Sequence, residues 1–203
     1  MANFNGNKEL FDFVRGFSVD LNLETGLSPQ KKTGKRYLSE MKGMYYDHEA
    51  YEKELSTNNH LIYEFHDFGV PESSGNLAFG SSIVYPGKIG NEYYMTKGHF
   101  HTILETAEIY YCLHGHGYML MENPEGDWLA LELLPGKVVY VPKRYAHRSI
   151  CVGNTEPLHT FFVFRADAGH DYGTIETKGY RKLLVEVDGS PTIIDNPQWG
   201  NQE

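Results

Sequence analysis

The sequence predicts an all-β fold: one antiparallel β domain of the sandwich or barrel type, with an N-terminal extension that carries a short helix. Three observations lead there. Runs rich in Val, Ile, Leu, Tyr and Phe recur along the chain, and Gly, Pro, Asn and Asp interrupt them every 8 to 12 residues or so, the rhythm of sandwiches and barrels. A single segment reads well as a helix.

Taken in order, residues 1–60 form the extension, expected to be part of the same domain as the β-barrel over 61–203. The helix is Asp47-His48-Glu49-Ala50-Tyr51-Glu52-Lys53-Glu54-Leu55, opened by an Asp suited to cap it. Strands are expected over 61–65, 77–85, 93–101, 108–113, 117–122, 128–134, 138–141, 147–152, 159–165 and 181–187. In 108–113 the sides alternate: Ile109, Tyr111 and Leu113 face one layer, Glu108, Tyr110 and Cys112 the other. Asn123-Pro124-Glu125-Gly126-Asp127 and Asp188-Gly189-Ser190-Pro191 read as hairpin turns, the second with an Asp-Gly pair that favours type I′ geometry. His114-Gly115-His116-Gly117 reads as a glycine-rich turn, because no helix follows to make it a phosphate loop. There is no repeat, low-complexity tract or interdomain linker.

Chemistry gathers in Lys97-Gly98-His99-Phe100-His101, in Glu108, and in Pro142-Lys143-Arg144-Tyr145-Ala146-His147. His99 and His101 are two apart, so a strand points both imidazoles to one face, whereas a helix would splay them by roughly 200°. Glu108 begins a β-prone run; Glu105 sits in a connection, which makes Glu108 the better candidate ligand. His147 follows a turn, a buried strand and a second turn. Three imidazoles and one carboxylate suit a divalent first-row metal such as Fe, Mn, Ni, Co or Zn, and exclude a Ca or Mg site built from oxygen alone.

Composition narrows the class. At 203 residues the chain forms one domain able to bury about 70% of its extended surface. A hydrophobic content of 40% with 14% aromatic residues describes a globular protein rather than a disordered one. The net charge of −9 argues against nucleic acid or an anionic membrane as partner. No run approaches the ~20 apolar residues of a membrane span, and residues 1–8 lack the features of a secretion signal, so a cytoplasmic protein is expected. Cys112 and Cys151 are expected to be free thiols.

These pieces resemble a cupin. Gly136, Pro142 and His147 match the second cupin motif, with Arg144 where Gly is usual and Cys151 where Asn is usual. His99, His101, Glu108 and Gly115 match the first, although six residues rather than three or four separate His101 from Glu108. Within cupins the chain is similar to the phosphoglucose isomerase family found in archaea and some bacteria. The similarity runs over 82–199, through Met95-Thr96-Lys97-Gly98-His99-Phe100-His101, Ala107-Glu108-Ile109-Tyr110, Ala146-His147-Arg148, Asp195-Asn196-Pro197-Gln198-Trp199 and above all Ala168-Gly169-His170-Asp171-Tyr172-Gly173.

The resemblance implies a jelly-roll-like β-barrel and a glucose-6-phosphate isomerase of glycolysis or gluconeogenesis, working as a homodimer. It assigns His99, His101, Glu108 and His147 to one divalent transition metal per subunit, Fe2+ ahead of Mn2+, Ni2+, Co2+ or Zn2+. It places Ser82, Thr96 and Gly98 at the phosphate of the sugar, and His170 and Tyr172 in the pocket, assisting ring opening or proton movement. Glu108 is the expected base, and Tyr110, on the same face, lines the pocket or packs in the core. Phe164 stands where the family has Tyr, removing a hydroxyl. Lys97 is read as a surface residue. The alternatives are a metal-dependent cupin oxygenase and a non-catalytic sugar-binding cupin.

Overall fold

The computed structural model describes residues 16–30 and 33–199. In chain order the strands are β1 (Gly34–Tyr37), β2 (Leu61–Asp67), β3 (Leu77–Val84), β4 (Lys88–Ile89), β5 (Glu92–Tyr93), β6 (Glu108–His114), β7 (Gly117–Glu122), β8 (Trp128–Leu133), β9 (Val138–Val141), β10 (Ala146–Cys151), β11 (Leu158–Arg165), β12 (Lys182–Val187) and β13 (Ser190–Asp195). Two short helices accompany them, α1 (His48–Thr57) and α2 (Gly173–Lys178). Residues 1–8, read above for a leader, lie outside the described residues. Among the described residues no helix is long and apolar enough to cross a membrane.

One layer is a six-stranded antiparallel sheet in the order β1-β2-β3-β11-β6-β9. The other is assembled from β10-β7-β8 and β13-β12-β5-β4, and the stretch after β5 joins the two groups. Thr96 N donates to Ser149 O at 2.9 Å and Cys151 N to Tyr94 O at 3.0 Å, which lays that stretch along β10. The mostly-β fold is the jelly-roll-like cupin arrangement expected.

Register decides what faces inward. Asp67, Gly80, Phe162, Tyr110 and Val139 stand opposite one another across five strands, and the next row is Ala78, Phe164, Glu108 and Val141. Side chains directly opposite in an antiparallel pair share a face, so one inner surface carries the apolar core and the titratable groups together. Gly80 is required in its row: a Cβ there would meet His66 O at 1.9 Å and the Phe162 ring at 2.7 Å.

The hairpin expectations hold. Asp188 and Gly189 have φ of 50° and 75° and join Val187 to Ser190, as a two-residue turn with both central residues at positive φ demands. Helix α1 lies where expected, capped by the Asp47 carboxylate accepting from Ala50 N at 2.9 Å. Cys112 and Cys151 are free and buried.

Three differences from the sequence reading have physical causes. Strand β1 lies in the N-terminal extension and pairs with β2, although no strand was expected before residue 61; it is too short and charged to show alternation. The strand expected over 93–101 is only Glu92–Tyr93, followed by extended chain held by isolated bridges. Gly98, at φ 77°, breaks the pleat. Strand β13 contains Pro191, which an edge strand tolerates. Leu38, Met41, Tyr45 and Tyr51, all from the first 60 residues, are buried in the main core; each such side chain contributes about 1.5–3 kcal/mol by leaving water.

Candidate metal centre

Backbone pairing brings the site together. His99 N donates to His147 O at 3.3 Å and His147 N to His99 O at 3.2 Å, so two residues 48 positions apart are bound reciprocally. One residue on, Phe100 and Asp171 make the same exchange at 3.1 and 2.8 Å, which carries His170 and Tyr172 in beside His99. Glu108 enters from the first position of β6, pointing inward by the alternation of that strand. The ligand atoms of His99, His101, Glu108 and His147 all lie within 4.8 Å of one another. Glu105 is on the surface, paired with Lys143 and Arg144.

Hydrogen bonds behind the rings fix which nitrogen faces the centre. Thr106 Oγ1 donates to Ile103 O at 2.7 Å, so it must accept from His101 Nδ1, also at 2.7 Å. His101 therefore carries its proton on Nδ1 and turns the lone pair of Nε2 inward. His147 Nδ1 donates to Tyr145 O at 3.3 Å, with the same result. Glu108 Oε2 then sits 3.1 Å from His101 Nε2 and 2.9 Å from His147 Nε2, acceptor facing acceptor. Neither His147 Nε2 nor His99 Nε2 has a hydrogen-bond partner among the described residues, though both are buried.

A buried polar atom left unpaired costs about 1–3 kcal/mol. Several converging lone pairs are stable when a cation lies among them, and neutral imidazoles with a carboxylate are the donor set of a divalent transition metal. Protonation agrees. Burial, reinforced by His147 and His170, pushes His99 well below the ordinary imidazole range, so it is neutral at neutral pH. Burial alone raises Glu108, and His147 and His101 hold the carboxyl below its usual range only while their inner nitrogens carry a proton, a part that a cation's charge takes over once those nitrogens face inward as lone pairs. The residues fit the metal.

A cavity of about 220 Å³ opens beside the centre. Ser82, Thr96, Gly98, Tyr110, His170 and Tyr172 line it together with His99, Glu108 and His147. Ser82 Oγ is buried without a partner among the described residues, and Thr96 Oγ1 accepts from Ser149 N at 3.1 Å, leaving its own proton to give. Gly98 is needed for close approach: a Cβ would fall 2.4 Å from the Tyr180 hydroxyl. Burial, then the neighbouring Glu108, pushes the Tyr110 hydroxyl well above its ordinary value, so it remains protonated. His170 opens to the cavity and stacks on Tyr172 with ring centroids 5.9 Å apart; the crowding around it still removes enough water to lower its pKa. Phe164 fills the space between His101, at 5.8 Å, and His170, at 5.3 Å. Lys97 pairs with Glu176 on α2 at 2.7 Å.

The sequence reading missed two kinds of residue. Thr106 sets the orientation of His101, and its signal was the long gap between His101 and Glu108: the additional residues form the turn that brings the hydroxyl back. Tyr63, Phe65 and Asp67 also line the cavity, all from the inner face of β2; alternation along 61–67 points to them once one inward residue is known. Arg144 holds φ 72°, which explains why glycine is usual at that place in the motif.

Comparison with known proteins places the chain. The family model described as Glucose-6-phosphate isomerase (GPI) matches residues 35–198. A glucose-6-phosphate isomerase from Thermococcus litoralis is 44% identical over 183 residues, 90% of this chain and 96% of its own length. That from Pyrococcus furiosus is 42% identical over 185 residues, again 90% and 96%. Among solved structures, an oxalate oxidase in complex with the substrate analogue glycolate is similar at a TM-score of 0.47, with 12% identity over 58% of each chain. With a family model spanning most of its length and relatives aligned along nine-tenths of it, the chain belongs to the glucose-6-phosphate isomerase family.

Proposed function

We propose that this protein is a metal-dependent isomerase that interconverts glucose 6-phosphate and fructose 6-phosphate. The observation that carries the reading is the convergence of three imidazoles and one carboxylate on the wall of a cavity that also holds neutral hydroxyl donors. The reaction moves a hydrogen between C1 and C2 of the open-chain sugar while negative charge gathers on the adjoining oxygens. His99, His101, Glu108 and His147 would hold a divalent metal, Fe2+ ahead of Mn2+, Ni2+, Co2+ or Zn2+, which would supply positive charge to steady those oxygens.

The chain's own groups do the remaining work. Ser82, Thr96 and the amide of Gly98 donate to the phosphate and fix the far end of the sugar. His170, kept neutral, takes and returns a proton on a sugar oxygen during ring opening, and Tyr172 beside it orients that end. Tyr110 holds the Glu108 carboxylate. Glu108 carries the proton between the carbons, a role worth about 10²–10⁴ in rate. A second route is direct transfer of hydride from carbon to carbon, in which Glu108 only positions; coordination of one of its oxygens, which lowers its proton affinity, favours that route.

A coupled assay with fructose 6-phosphate, before and after chelation and with metal restored, tests the reading. Activity should vanish and return. His147→Ala should lose metal affinity with the fold intact, and Glu108→Gln should cut turnover more than sugar binding. Oxygen consumption without isomerisation, or sugar binding without turnover, would replace this reading with another. Running the reaction in deuterium oxide separates the routes, since only proton transfer brings solvent deuterium to C2. The protein is proposed to act as a homodimer, which the exposed apolar strip of Ile109, Tyr111, Leu129, Leu131, Val138 and Tyr140 on neighbouring strands supports. Sedimentation of a Tyr140→Glu variant as a monomer is the expected result.

A further inference from the structure

Two of the groups lining the cavity, Glu108 and Asp67, are carboxylates, and the chain as a whole carries −9. The divalent metal offsets that charge at its own end of the cavity, but at the phosphate end Ser82, Thr96 and Gly98 are neutral, and Lys97 is taken up by Glu176. Arg36 supplies a cation there. It sits on β1 directly opposite Tyr63, and opposed residues share a face, so it points to the same side as the cavity wall. Its guanidinium carbon lies 5.5 Å from the centroid of the Phe65 ring, another part of that wall. Phe65 in turn stands opposite Ser82 on β3. Arg36 and Ser82 therefore flank one aromatic ring on one face of the sheet.

Local sequence makes this reach possible. Gly34, opposite Phe65, has no side chain to hold the ring off; a Cβ there would fall 2.7 Å from it. Arg36 is weakly committed: Nη1 donates to Lys35 O at 3.0 Å and lies 3.7 Å from Glu40, a distance without a hydrogen bond. No other hydrogen bond ties it among the described residues, so most of the five donors of the guanidinium stay available. Its charge already acts on the cavity. Burial raises the pKa of both Tyr63 and Tyr172, and in each Arg36 pulls it back down.

We propose that Arg36, from the N-terminal extension, is a substrate-binding and specificity-determining residue whose guanidinium pairs with the phosphate dianion at the rim of the cavity. The inference rests on the isomerase reading and deepens it. It gives the extension a task in the site and explains how an acidic protein accepts a doubly charged sugar.

The test uses the full-length, metal-loaded protein. Arg36→Gln should raise KM for fructose 6-phosphate about tenfold with kcat within twofold, and should weaken inhibition by inorganic phosphate in parallel. The fall of kcat/KM with added salt should flatten, since a steering charge has gone. Arg36→Lys should recover part of the loss. Lys35→Gln removes the same charge from the opposite face of β1 and should change KM by less than twofold. An unchanged KM and salt dependence in Arg36→Gln, or an equal effect from Lys35→Gln, overturns the proposal. Calorimetric titration with inorganic phosphate keeps the two readings apart. If the wild type binds phosphate without turning over sugar, the isomerase reading fails, and a tenfold weaker affinity in Arg36→Gln still supports the anion site. Equal affinity in the two proteins, or no binding by either, overturns it.

Discussion

Replacing Thr106 by Val keeps the shape of a buried side chain and removes one oxygen. That oxygen is 2.7 Å from His101 Nδ1 and spends its own proton on Ile103 O. In the variant the ring N–H is left with Thr106 O at 3.4 Å, the backbone carbonyl of the same residue, as its nearest acceptor. A buried donor deprived of its partner costs about 1–3 kcal/mol. Loss of a group that orients a metal-binding histidine costs about 10–100-fold in affinity, or roughly 1.4–2.8 kcal/mol. The two ranges coincide because both describe the same proton. Competition between the protein and a fluorescent chelator for Mn2+ should show the weakening, and Thr106→Ser, which restores the oxygen, should recover most of it. Wild-type metal affinity in Thr106→Val would refute the tautomer assigned to His101, and with it the argument that Nε2 is turned inward as a lone pair.

Glu92 gives a prediction about pH. Its carboxyl is buried, with Oε2 accepting from Tyr46 N at 3.0 Å, and burial pushes its pKa up to about 7. The folded chain then keeps a proton that the unfolded chain releases near 4.5, so stability should fall as pH rises from about 4.5 to about 7 and level off above, a loss of about 3 kcal/mol. Urea midpoints should show that slope diminished in Glu92→Gln; identical slopes would remove Glu92 as its source. Gly80→Ala places a methyl against the His66 carbonyl and should cost about 3 kcal/mol by overpacking, read as a lower urea midpoint. An unchanged midpoint would contradict the register of β3 against β2 and β11.

Legibility in the sequence followed the kind of force at work. Strands whose burial comes from alternation, such as β6 with Glu108, Tyr110 and Cys112 inward, could be read directly. The paired spacing of His99 and His101 exposed the centre because two imidazoles on one face have few other uses. Strand β1 was hidden because its inward positions are Gly34 and Arg36, neither of them apolar. Helix α2 was hidden because six residues that begin on Gly173 and stop at Gly179 carry no periodicity. Arg36 acts beside partners distant in the chain and Thr106 through the direction of a local hydrogen bond, so their parts emerge only when register and hydrogen-bond direction are known. Expecting one strand over 93–101 overlooked Gly98, whose left-handed backbone ends the ladder while leaving the histidines adjacent.

Residues 99 and 100 each clasp a different remote segment, His99 holding His147 and Phe100 holding Asp171. Two neighbouring peptide units thus act as a rivet through three stretches of chain. Such long-range closures come slowly to a folding polypeptide, and a complete set of ligands exists only after the rivet is in place. Refolding followed in the presence of metal should accordingly show capture in the last kinetic phase, together with protection of the amides of residues 99, 100, 147 and 171 from hydrogen exchange.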